Sequence, residues 1–66
     1  MDIQISIAAA RVNAGLTQAE MAEKLGVSKA TIVSWERGKT VPKINQFQAF
    51  CELCKLPMEY IFLPNT

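Results

Sequence analysis

Leu16-Thr17-Gln18-Ala19-Glu20-Met21-Ala22-Glu23-Lys24-Leu25-Gly26-Val27-Ser28-Lys29-Ala30-Thr31-Ile32-Val33-Ser34-Trp35-Glu36-Arg37-Gly38 carries one start signal and one stop signal, each used twice. Thr17 and Glu20 have the spacing of a capping box, in which each side chain satisfies the other residue's orphan backbone N–H. Leu16 before the cap and Met21 after it are placed as a hydrophobic staple. The helix they start runs to Leu25, where Gly26 can take the left-handed conformation that closes it. The pattern then restarts, with Val27 as the outer apolar residue, Ser28 as N-cap and Ile32 as the staple partner. This second helix ends at Arg37, followed by Gly38. Two short capped helices joined through Gly26-Val27-Ser28 predict a helix-turn-helix over about residues 17–37. Both are too short to bury a long mutual seam, so a steep crossing onto a third helix is expected.

Working outward, Ile3, Ile7, Ala10 and Ala14 recur on one helical face. The alternation Ile3, Ile5, Ile7 also suits an extended segment, in which case Ser6 caps a shorter helix. The helical alternative is the preferred one. On the other side, Pro42 blocks continuation of the second helix. Ile44, Phe47, Phe50, Cys51 and Cys54 trace a further apolar stripe. Pro57 opens a last short segment with Met58, Ile61 and Phe62 as its apolar residues, and Pro64 ends it. The expected architecture is all-α, a compact five-helix bundle without a convincing strand, forming one domain over 1–66.

Composition narrows the function. A chain of 66 residues has room for one small domain, and its 50% hydrophobic content is enough for a core. There is no His, which removes the commonest general base and metal ligand. No nucleophile–base pair and no glycine-rich phosphate loop can be assembled, so an enzyme is not expected. The two cysteines, Cys51 and Cys54, form a C-x-x-C without a second pair, and their place on an apolar stripe reads as small buried hydrophobes. No metal or cofactor is expected. The longest apolar runs fall well short of a membrane span, and the N-terminus lacks the layout of a signal peptide, so a reduced, cytoplasmic binding module is expected.

The formal net charge of +1 hides an asymmetry. Between residues 28 and 43, Lys29, Arg37, Lys39 and Lys43 face the single acid Glu36. The rest of the chain carries Arg11, Lys24 and Lys55 against Asp2, Glu20, Glu23, Glu52 and Glu59. One basic stretch on a mildly acidic molecule suits a phosphate-facing side, although a solvated helix surface has the same composition. Helical periodicity turns Ile32 and Trp35 inward and leaves Ser28, Lys29, Ala30, Val33, Ser34 and Arg37 outward.

The pattern L-T-Q-x-x-x-A-x-x-x-G-V-S over residues 16–28, followed by I-x-x-W-E-x-G over 32–38, resembles the Cro/repressor (XRE-type) helix-turn-helix family, whose domains are lambda-repressor-like. The likeness continues through Pro42 and the segment from Ile44 to Phe62. It implies a five-helix domain that binds double-stranded operator DNA, usually as a homodimer, and regulates transcription. A repressor of phage or prophage character is the expectation. The implied recognition surface is the outer face of the second helix, with Ser28, Lys29, Ala30, Val33 and Ser34 at base edges in the major groove. Lys29 suits guanine O6/N7 or a phosphate, and Ala30 suits a thymine methyl. This set lacks bidentate readers, so DNA shape is expected to carry a large share of specificity.

Phosphate contacts are expected from Thr17 and Gln18 at a helix N-terminus, and from Arg37, Lys39 and Lys43 beyond the recognition helix. The resemblance also implies that Glu36 pairs with Arg11, which hides the one acid of the basic stretch. Two departures from the family pattern stand out: Lys55 where Gly is frequent and Pro57 where Ser is frequent. Met58, Tyr60, Phe62 and Leu63 serve either the monomer core or an isologous interface through residues 56–66. Two rival readings stay open: an antitoxin-like protein whose main partner is another protein, and an interaction module whose basic face is only solvated.

Overall fold

A computed structural model describes residues 4–63. The elements follow in the order β1 (Ile5–Ser6), α1 (Ile7–Asn13), α2 (Gln18–Leu25), α3 (Lys29–Glu36), α4 (Ile44–Cys54), a single 3-10 turn (Met58–Tyr60) and β2 (Ile61–Phe62). The first three helices each start on a hydroxyl: Ser6 Oγ accepts from Ala9 N–H, Thr17 Oγ1 from Glu20 N–H, and Ser28 Oγ from Thr31 N–H. Each cap satisfies one of the donors that a helix leaves without an internal partner. α4 begins differently. Its N-cap is Lys43, whose side chain offers no acceptor, and only the reverse bond forms, from Lys43 N–H to Gln46 Oε1 at 2.8 Å.

α2 and α3 join through Gly26, whose φ of 71° lies in the left-handed region. Adding a Cβ there meets no neighbouring atom, so glycine is favoured by backbone conformation and not by space. The two helices seat Met21, Ala22, Ile32 and Trp35 in one core with Ile7 and Ala10 of α1 and Phe47, Phe50, Cys51 and Cys54 of α4. The apolar stripe of α4 begins at Phe47 and not at Ile44. Ile44 occupies the first helical position, overhangs the core and is 64% exposed.

The helix count is four, not five, among the described residues. After Pro57 the chain makes one 3-10 turn, closed by Tyr60 N–H donating to Pro57 C=O at 3.0 Å, and then extends. Ile61 stops the turn because it takes φ −112°, ψ 124° to pair with the other end of the chain. β1 and β2 run parallel, with Ile5 opposite Ile61 and Ser6 opposite Phe62. Gln4 Nε2 adds a bond to Glu59 C=O at 3.2 Å. The preferred helical reading of the first residues is therefore corrected: Ile5 is extended and Ser6 is the cap. Ile3 and Pro64, which also figured in the sequence reading, lie outside the described residues.

Lys55 takes the position where a glycine was missed. It ends α4 at φ 58°, ψ 39°, the one non-glycine with positive φ among the described residues. A Cβ in that region costs about 1 kcal/mol. Lys55→Gly is therefore expected to stabilise the protein by up to about 1 kcal/mol, an increase in Tm of roughly 4–8 °C for a domain of this size. Thermal unfolding followed by circular dichroism checks this, and an unchanged or lower Tm contradicts the strain assignment.

Candidate nucleic-acid interface

α3 divides its residues between two duties. Ile32 and Trp35 are buried and anchor the helix from below. Lys29 and Ala30 are exposed, Val33 and Ser34 are half-buried, and Arg37, just past the helix end, is exposed. The two serines proposed as readers already have partners. Ser28 Oγ caps the helix and shares a hydrogen bond with Thr31 Oγ1 at 2.9 Å. Ser34 Oγ accepts from Thr40 Oγ1 at 3.0 Å, and Lys39 N–H donates to Ser34 C=O. Thr40 thus ties the loop carrying Lys39 back onto α3. Neither Thr31 nor Thr40 was singled out from the sequence, since both act only through a neighbour's hydroxyl. Lys29, Ala30 and Val33 are left as the side chains of this face without a polar partner among the described residues.

The acid of the basic stretch is turned away from this face. Arg11 Nε donates to Glu36 Oε2 at 2.6 Å, Arg11 Nη2 reaches Glu36 Oε1 at 3.4 Å, and Arg11 Nη1 donates to Leu16 C=O at 2.9 Å. The two side chains are only 14% and 9% exposed. Gln18 Nε2 also donates to Glu36 Oε1, at 3.0 Å. One carboxylate therefore collects the end of α1, the start of α2 and the end of α3. A largely desolvated pair of this kind specifies register more than it adds net stability. The sequence reading expects a phosphate contact from Gln18, and the structure adds that its side chain is also held by Glu36. No sequence spacing points to that bond, because residues 18 and 36 meet only once α2 and α3 have packed.

Helix ends add to the field. The first turns of α3 and α4 contain no acid, and a lysine stands at each: Lys29 at the first position of α3 and Lys43 as N-cap of α4. A cation at the positive end of a helix is unfavourable by itself, and two such ends attract anions. Thr17 is exposed at the N-cap of α2. Its backbone N–H, and next its hydroxyl, hold the Glu20 carboxyl below the ordinary value of 4.5.

The C-x-x-C pair does not join this surface. Cys51 and Cys54 are free thiols buried in the core. Burial pushes the Cys51 thiol above its usual 9.0 and, with Cys51 beside it, pushes Cys54 up to about 11. Both stay protonated where unfolded thiols ionise, so the stability they support is complete below that pH and is lost as pH rises further, for Cys54 towards about 11. Iodoacetamide at pH 8.5 is expected to leave both unmodified in the folded protein and to alkylate both in urea, as mass spectrometry reports. Rapid alkylation of the folded protein contradicts this burial. Among the described residues no group of three His, Cys, Asp or Glu comes together to hold a metal, and no helix is long and apolar enough to cross a membrane.

A four-helix core that presents one capped helix outward, with cations around it and its acid turned inward, defines a helix-turn-helix DNA-binding protein. The family model for the helix-turn-helix matches residues 7–61, most of the chain, and the chain belongs to this family in its XRE type. The family is one of DNA-binding regulators of transcription. Comparison with curated proteins and comparison with solved structures give no match.

Proposed function

We propose that the chain works as one domain, a sequence-specific repressor that binds operator DNA as a homodimer. α3 enters the major groove with Lys29, Ala30 and Val33 foremost, and Ser28 and Ser34 reach base edges through whatever capacity their internal bonds leave. Thr17 and Gln18 at the start of α2, with Arg37, Lys39 and Lys43, grip phosphates on either side. The observation that carries this reading is the placement of charge. Every cation from 29 to 43 is exposed, and Glu36, the only acid there, is ion-paired with Arg11.

Dimerisation is assigned to the segment 56–66 on the side chains it leaves uncovered. Met58 and Leu63 pack against the core, whereas Tyr60 and Phe62 are each 49% exposed. A two-fold pair puts two copies of α3 about 34 Å apart, one helical turn of DNA. Selection from a random double-stranded DNA library, followed by footprinting, tests the whole reading. A two-fold palindromic site is expected, with a footprint of two half-sites. Failure to enrich any sequence contradicts specific readout, and a footprint of a single half-site contradicts the dimer.

A further inference from the structure

We propose that Glu36 is a positioning residue for DNA binding, acting through Gln18: it fixes the Gln18 amide so that its remaining N–H meets a backbone phosphate. This inference rests on the DNA-binding reading and deepens it. A carboxylate can only accept, so the contact between Gln18 and Glu36 Oε1 at 3.0 Å settles which end of the amide is which. The amide nitrogen faces Glu36, one of its two hydrogens is used there, and the second has no acceptor among the described residues. The backbone N–H groups of Gln18 and Ala19, at the first two positions of α2, likewise have none, since the cap of Thr17 serves Glu20. Three donors thus stand at the start of an eight-residue helix, and the side chain that carries one of them is held by Glu36 before any ligand arrives.

Anchoring matters because a free glutamine has several rotatable bonds to order on binding, whereas a held one has already lost that freedom. The anchor is itself rigid. Arg11 holds the same carboxylate from the other side and is locked to Leu16 C=O, the residue just before the N-cap of α2. Glu36 is also the last residue of α3. The phosphate grip of α2 and the depth of α3 in the groove are therefore set by one carboxylate.

A double-mutant cycle on operator affinity tests this, using Gln18→Ala and Glu36→Ala with folding checked by circular dichroism. In the wild-type background Gln18→Ala is expected to weaken binding about tenfold, the usual scale for losing a hydrogen bond to a charged group. In the Glu36→Ala background the same substitution should cost less than about twofold, because the amide is no longer held. A Glu36 that merely supports the fold lowers affinity by itself and leaves the cost of Gln18→Ala unchanged, which overturns the proposal. Glu36→Gln keeps an acceptor of about half the strength and serves if the alanine variant does not fold. There the cost of Gln18→Ala should fall to about threefold, and a full tenfold cost overturns the proposal equally. A wild-type protein that binds no DNA at any salt concentration refutes the DNA-binding reading itself, an outcome separate from additivity in the cycle.

Discussion

Lys29→Glu is expected to weaken operator binding by about 3 kcal/mol, roughly a hundredfold, while leaving the protein as stable as before or slightly more so. The two effects have opposite signs for one physical reason. Lys29 is the first residue of α3, and the first turn of α3 holds no acid. A carboxylate there interacts favourably with the helix dipole, by about 0.3–1 kcal/mol. The same carboxylate faces a polyanion if α3 lies in the major groove, and it replaces a cation that would otherwise release a counterion. The Lys29 side chain is exposed and takes part in none of the hydrogen bonds that cap α3, so no packing loss confuses the comparison. Gel shifts at several salt concentrations, beside urea unfolding of both proteins, read the two signs separately. Equal affinity of the two proteins would place α3 away from DNA.

Arg11→Met is expected to be the most destabilising of these substitutions, at about 3 kcal/mol. It leaves the Glu36 carboxylate largely buried with Gln18 as its remaining partner, and breaking one side of a buried pair costs about 3–5 kcal/mol. The lower end applies because the pair retains some solvent contact, at 14% and 9% exposure. A domain of this length has a total stability of roughly 3–10 kcal/mol, so the loss takes a large share of it. Adding Glu36→Met to Arg11→Met should restore much of the stability, since two apolar side chains in that space no longer bury a lone charge. The midpoint of urea unfolding measures both steps. A single variant within about 0.5 kcal/mol of wild type would mean that the pair is solvated and contributes little.

Local grammar made the helix-turn-helix legible. The caps of Thr17 and Ser28 and the turn at Gly26 are decided by residues within four positions of one another, so spacing alone exposes them. The errors lie where distant residues decide. The alternation around Ile5 suits a helix or a strand, the helix is the preferred reading, and the choice depends on Ile61 near the opposite end of the described chain. The expected last helix fails for the same reason: Met58 to Phe62 has suitable apolar residues, but β pairing captures Ile61 and Phe62 after a single turn. Lys55 shows that the loss of a frequent glycine need not change the backbone path, because the strain is tolerated in place.

Candidate interface residues divide similarly. The exposure of Lys29, Ala30 and Arg37 follows from helical periodicity. The engagement of Ser34 by Thr40 and of Gln18 by Glu36 is set by tertiary contacts that no spacing rule contains.

The parallel pairing of Ile5–Ser6 with Ile61–Phe62, reinforced by a hydrogen bond spanning 55 positions, ties the two ends of the described chain together. Closing so long a loop costs about 3–4 kcal/mol of chain entropy, far more than any turn between adjacent helices. The clasp therefore belongs to the end of folding, after local helices have formed, and it gives a short chain the wholeness of a ring without a covalent bond. Fraying at one terminus is then transmitted directly to the other, so that the ends melt as one cooperative unit.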